Sequence, residues 1–355
     1  MNVTIKTAKS ILSTLVQQRL IEKNPPPVFL WGPPGVGKSD ITRQVAEKEG
    51  IKVIDLRLSQ MEPVDLRGVP YVDNGSVATK WAVPEFFPRD EETKAILFLD
   101  ELASAEQSLQ VAAYQLLLER QYGDYHLPSK VYVCAAGNRA EDHAISNPMS
   151  SALTNRMLHL DIAPDCDAWC EWAVTNEIAP EVVGFIRMSP DSLFRLTEEC
   201  ERGWPSPRSW ANVSKVLSYG FAGNELLACF VGLVGEYAAA QFIAFRKHYQ
   251  ELGNIHEIML DPKSKWKTPS KDDMLYVVAT AIAHWVWRGK TLDEAAMLLD
   301  GFFRIALQLP APFAMVALSD AISGKDGESH AQQLQKHKLF SKLQDKVAVD
   351  KVTGE

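Results

Sequence analysis

The sequence predicts an α/β fold: a core with a five-stranded parallel sheet, followed by an all-helical region. Three observations predict it. Five short apolar runs, Pro27–Trp31, Ile51–Leu56, Ala95–Leu99, Val131–Ala136 and Met157–Ile162, are rich in Val, Ile and Leu, as strands buried on both faces are. The segments between them are long enough for crossover helices, which parallel pairing requires. After Ile162 the apolar spacing turns helical and stays so to about Ile322.

The elements follow in order. Ala8, Ile11, Leu12, Leu15, Val16 and Leu20 share one face of an amphipathic helix over about residues 3–23. The strands and their helices run from residue 27 to 162. Between the second and third runs, residues 59–90 are irregular, with Pro63, Gly68, Pro70, Gly75, Pro84 and Pro88 around Trp81, Phe86 and Phe87. A stretch this long is not plain loop, so it should hold a hairpin or small insert. Gly203-Trp204-Pro205-Ser206-Pro207 is a break. The expected organisation is an α/β domain over 1–202, a helical lid over 203–322 and a tail or terminal helix with a frayed end over 323–355.

Composition bounds the function. Against 45 acidic residues stand 37 basic ones, a net charge of −8, which argues against a broad nucleic-acid footprint but leaves a narrow basic channel open. The five cysteines, Cys134, Cys166, Cys170, Cys200 and Cys229, fit a reducing compartment. Cys166 and Cys170 lie near Asp165 and Asp167 but lack zinc-ligand spacing, so a structural role is expected. The first residues read as an amphipathic helix, so no signal peptide is expected. Leu226–Phe245 is apolar but carries Gly232, Gly235, Glu236 and Gln241, and Leu275–Trp287 is short and contains His284. Both read as buried helices, so a soluble cytoplasmic protein without membrane insertion is expected.

The chemistry begins at Gly32-Pro33-Pro34-Gly35-Val36-Gly37-Lys38-Ser39, a phosphate loop placed between an apolar strand and a helix. Glycines let backbone N–H groups curl around phosphates, and the helix N-terminus adds the positive end of a dipole. Lys38 is placed to reach the β- and γ-phosphates, and Ser39 to put its hydroxyl on Mg²⁺. Ala95–Leu99 ends in Asp100 and Glu101, acids at the strand edge where ligands sit in open α/β sheets. Asp100 suits Mg²⁺, largely through its water shell, and Glu101 suits a general base. Gly137-Asn138-Arg139 ends the fourth run. Asn138 either orients the water or simply forms a turn. Arg156, before the fifth run, is either a surface residue at a helix end or a finger reaching a neighbour's site. Arg208, at the domain break, is either a surface residue of a helix cap or a contact to the γ-phosphate.

These stretches, in this order, resemble the AAA+ ATPases and, within them, the MoxR-like and dynein-related branch. Gly32 to Ser39 looks like Walker A and Ile96 to Glu101 like Walker B. Gln115 to Gln121 is similar to the helix after Walker B in MoxR-like proteins, Pro63 to Gly68 to the opening of their helix-2 insert, and Trp81 to its aromatic. The resemblance implies Mg²⁺ and ATP as ligands, Asn138 as sensor 1, Arg156 as arginine finger and Arg208 as sensor 2. It implies a homo-oligomeric ring, a hexamer, that remodels or activates a protein partner, with a von Willebrand factor A domain expected on another chain. Ala136-Gly137-Asn138-Arg139 departs from the branch's Thr-Gln-Asn-Pro. Asn155 stands where an acid is usual, and Arg139 is a second candidate trans-acting arginine. The alternatives are a nucleic-acid-linked motor, such as a helicase loader or restriction subunit, and a slow nucleotide-gated scaffold.

Overall fold

The computed structural model describes residues 2–352 except 73–78, 123–124, 143–146, 148, 150, 198–201, 265 and 325. Gly75 of the insert and Cys200 thus lie outside the described residues. The chain divides into two compact units, Met1–Asp165 and Cys166–Glu355.

The first unit runs β1 (Asn2–Val3), α1 (Ile5–Leu20), β2 (Val28–Trp31), α2 (Lys38–Glu49), β3 (Lys52–Arg57), α3 (Pro63–Arg67), β4 (Val69–Val72), β5 (Thr79–Ala82), β6 (Ala95–Asp100), α4 (Gln107–Tyr114), β7 (Gln121–Tyr122), β8 (Tyr125–His126), β9 (Val131–Gly137), α5 (Ser151–Thr154) and β10 (Leu158–Ile162). One sheet has the order β1-β10-β2-β9-β6-β3, every pair parallel. It has six strands, not the five expected. The sixth, β1, pairs Asn2 with Asp161 and Val3 with Ile162. Two residues leave no apolar run to detect.

The central strands β6 and β9 are buried at every position, which their unbroken apolar sequences dictate. Helix α1 starts at Thr4, whose hydroxyl accepts Thr7 N–H at 3.1 Å, and buries Ala8, Leu12 and Val16. The irregular stretch resolves into α3 and the antiparallel β4–β5 hairpin, as an insert would. A second hairpin, β7–β8, follows a π-helical turn at Gln115–Glu119.

The second unit is helical: α6 (Cys166–Thr175), α7 (Pro180–Met188), α8 (Pro207–Ser218), α9 (Gly223–Glu251), α10 (Ile255–Leu260), α11 (Asp272–Trp285), α12 (Leu292–Ala306), α13 (Ala311–Ala321), α14 (Gly327–Lys336) and α15 (Phe340–Val352). It begins at Cys166, before the break at Gly203, because Trp169 and Phe185 of α6 and α7 share a core with Trp210, Phe230 and Phe242. Arg187 of α7 donates to Asp320 of α13 at 2.5 and 2.7 Å and to Thr280 of α11 at 2.6 Å. In the stretch read as a tail or terminal helix with a frayed end, α14 and α15 bury Leu334 and Leu343 in the cluster that holds Phe302 and Phe303.

Two apolar runs behave differently. Helix α11 is a core element, with Val277, Val278, Ala281 and Ile282 buried. Helix α9 buries Phe230, Val234, Ala238 and Phe242 along one stripe but leaves Leu227 and Tyr237 exposed. The run Gly223–Leu260 is long and apolar enough to cross a membrane, and 28% of its most apolar stretch is buried. It is therefore less buried than its sequence suggests.

Candidate active site

Parallel strands deliver their following loops to one edge. Here the loop after β2, the tip of β6, the tip of β9 and the end of β3 share the C-terminal edge of the sheet. Gly32 leaves β2 where an added Cβ would stand 2.7 Å from the Ile162 carbonyl oxygen, so only glycine fits. Gly37, at φ 100°, turns the loop into α2 through a left-handed conformation.

Lys38 opens α2 and is only 9% exposed. Its Nζ donates to Gly32 O at 2.6 Å, Pro33 O at 3.0 Å and Asn138 Oδ1 at 2.8 Å. The last bond joins the phosphate loop to the tip of β9. Ser39 Oγ donates to Asp100 Oδ2 at 2.8 Å. Asp100 Oδ1 accepts Glu101 N–H at 2.9 Å. Burial lifts the Asp100 carboxyl above its ordinary range, against the lowering effect of those two donors.

Glu101 stands just past β6 at φ 59°, a left-handed conformation unusual for a side chain of this size. Ser59 Oγ donates to its Oε2, and Arg57 Nε lies 3.9 Å from its Oε1. Arg57 ends β3 opposite Asp100 in the sheet register. Sequence reasoning missed Arg57 and Ser59. The available signal was that the strand pairing with an acid-tipped strand must end beside it.

The structure thus brings together Lys38, Ser39, Asp100, Glu101 and Asn138. Arg139 is engaged within its own chain: its guanidinium bonds Asp142 at 3.1 Å twice and pairs with Glu141 at 3.1 Å. Arg156 is exposed and precedes β10, at the N-terminal edge of the sheet, away from the phosphate loop. Arg208 is exposed in the first turn of α8, in the second unit. The insert adds a cavity of about 650 Å³ lined by Arg67, Trp81, Phe87, Arg89, Tyr122 and Tyr125, with the Arg67 guanidinium 4.7 Å from the centre of the Trp81 ring.

Among the described residues no cluster of three His, Cys, Asp or Glu exists to hold a metal. A magnesium ion shared with phosphates needs only one carboxylate and one hydroxyl from the protein. Ser39 and Asp100 are that pair, and among the described residues only neutral donors bond the buried Asp100 carboxylate, so it fits a cation.

Residues 27–157 match the AAA domain family, dynein-related subfamily. No curated protein matches the chain. Among solved structures, a RuvB mutant from Thermotoga maritima is similar at 13% identity, covering 72% of this chain and 75% of that one, with a TM-score of 0.40. NtrX from Brucella abortus in complex with ADP is similar at 14% identity, covering 96% and 67%, with a TM-score of 0.39.

Proposed function

We propose that this chain, whose residues 27–157 are an AAA domain of the dynein-related subfamily, is a Mg²⁺-dependent ATP hydrolase that works as one subunit of a hexameric ring and remodels or activates a protein partner. The observation that carries the reading is the convergence of Lys38, Ser39, Asp100, Glu101 and Asn138 on one sheet edge.

The residues divide the work. Lys38 and the loop from Gly32 to Gly37 bind phosphate oxygens. Ser39 and Asp100 hold Mg²⁺, which when bound spreads the phosphate charge. Glu101 takes the proton from the attacking water at its carboxylate, in the orientation set by Ser59 and Arg57. Asn138, bonded to Lys38 Nζ, is near enough to orient that water as the lysine turns to phosphate. Arg156 faces away from its own phosphate loop, which suits a charge supplied to the neighbouring subunit. Arg208 is assigned to sensing the γ-phosphate by resemblance. The partner, for which a von Willebrand factor A domain on another chain is the candidate, meets the insert.

The test is light scattering on the Glu101→Gln protein with and without ATP. Assembly on ATP addition is the expected result. A monomer at every nucleotide concentration would sink the ring and leave a P-loop ATPase that acts alone.

A further inference from the structure

The N-terminal edge of the sheet in the first unit holds a second polar cavity, of about 460 Å³, that the hydrolytic residues do not line. Three arginines line it, Arg19, Arg120 and Arg156, with Asn24, Tyr132 and one acid, the exposed Glu119.

Each arginine arrives by a different local device. Arg19 sits in the last turn of α1 and is 7% exposed. Its Nη2 donates to Asn24 Oδ1 at 2.6 Å, and its buried Nε has no partner among the described residues. Arg120 follows the π-helical turn at φ 57° and donates to Val131 O at 2.7 Å and Pro128 O at 2.6 Å. π-Turns recur at functional sites because they re-aim the residues that follow. Burial holds the Arg120 guanidinium down at about 10, and the neighbouring Arg19 charge adds to the effect. Burial also lowers Arg19. Arg156 stands exposed at the rim.

Two partly desolvated guanidiniums repel each other, and their acceptors are a side-chain amide and two backbone carbonyls rather than carboxylates. Among the described residues no carboxylate bonds the Arg19 or Arg120 guanidinium, so an anion from outside relieves the positive charge. Three guanidiniums against one carboxylate match a ligand of charge −2, which a phosphate carries and a carboxylate does not.

We propose that Arg19, Arg120 and Arg156 form one binding pocket for a phosphate group. The phosphate is either free or borne by the nucleotide of a neighbouring subunit, and only the second source rests on the ring reading given above. In that arrangement Arg156 reaches the group first and Arg19 and Arg120 hold the field behind it.

The test uses the full chain carrying Lys38→Ala, so that the phosphate loop contributes little. Inorganic pyrophosphate is titrated by calorimetry at fixed ionic strength, with sodium acetate as the control anion. Melting without ligand checks that each variant folds. The expected result is binding of pyrophosphate but not acetate, weakened about tenfold or more by adding either Arg156→Ala or Arg19→Gln. No binding, equal binding of acetate, or a titration unchanged by Arg156→Ala would overturn the pocket. The same titration on Glu101→Gln protein assembled with ATP separates the sources. Loss of the pocket's binding on assembly assigns it to the neighbour's nucleotide, and persistence assigns it to free phosphate. If no ring assembles, the Lys38→Ala titration still decides the pocket by itself.

Discussion

Ser39 Oγ and Asp100 Oδ2 are 2.8 Å apart, joining the first turn of the helix after the phosphate loop to the tip of a central strand. Asp100 in turn accepts the backbone N–H of Glu101. The Ser39 hydroxyl, the Asp100 carboxylate and the Glu101 backbone are therefore joined by consecutive bonds, so a shift at Asp100 moves both of the groups it joins.

Asp100→Asn tests the electrostatics of that junction. The carboxyl's pKa is raised in the fold by burial, so the unfolded chain gives up its proton more readily. The charged group therefore opposes folding above its folded pKa, and the effect fades as pH falls through it. The substitution should raise the melting temperature of the nucleotide-free protein at pH 7 by roughly 2 °C. It should also shift the Mg²⁺ requirement of hydrolysis to higher concentration, because the neutral amide is a weaker metal ligand than the carboxylate. The gap in melting temperature should narrow in acid; a lower value at pH 7 would refute the assignment.

Ser59→Ala removes the hydroxyl that donates to Glu101 while leaving the base in place. Turnover should fall about tenfold with KM for ATP unchanged, against a loss of about 10²–10⁴ for Glu101→Gln. A rise in KM with turnover intact would make Ser59 a binding residue instead.

Lys38→Ala should abolish tight nucleotide binding, measured with a fluorescent ATP analogue. The variant also strands the acceptors at Gly32, Pro33 and Asn138. Stability should drop by about 1–3 kcal/mol in denaturant melts. Wild-type affinity would overturn the phosphate-loop assignment.

Arg156→Ala should bind nucleotide normally and hydrolyse little. Mixed with Lys38→Ala subunits, it should regain turnover, because one variant supplies the phosphate loop and the other the arginine. Mixtures with no more activity than the sum of their parts would confine Arg156 to its own subunit or to no role.

His284 gives the helical unit a pH dependence. Burial, with Arg288 beside it, lowers its pKa to about 3 from an ordinary 6.5. Below pH 6.5 the unfolded chain takes a proton that the fold refuses, so stability falls as pH drops from about 6.5 toward 3. The slope reaches about 1.4 kcal/mol per pH unit, and His284→Gln should flatten it in denaturant melts.

The strands and the phosphate loop were legible because each rests on local sequence. Val28–Trp31 and Ala95–Asp100 are apolar runs that need no distant partner to be recognised. Asn2–Val3 became a strand only through pairing with Asp161 and Ile162, which no local pattern encodes. Arg57 and Ser59 look like ordinary polar residues at a strand end, and only the register of Arg57 against Asp100 brings them to Glu101. The boundary at Cys166 was hidden because the helices before the Gly203 break share one core with helices after it. Arg156 and Arg208 were readable as positions, but the roles proposed for them need groups that a single sequence does not display.

The left-handed backbone at Glu101 sets chemistry against selection for robustness. Glycine adopts that conformation without the roughly 1–2 kcal/mol that an L side chain incurs there. A lineage drifting under pressure for stability alone would trade the glutamate away, as would a consensus-guided redesign blind to turnover. A Glu101→Gly variant therefore separates the two demands: it would relieve the left-handed backbone and remove the carboxylate that the proposed hydrolysis uses.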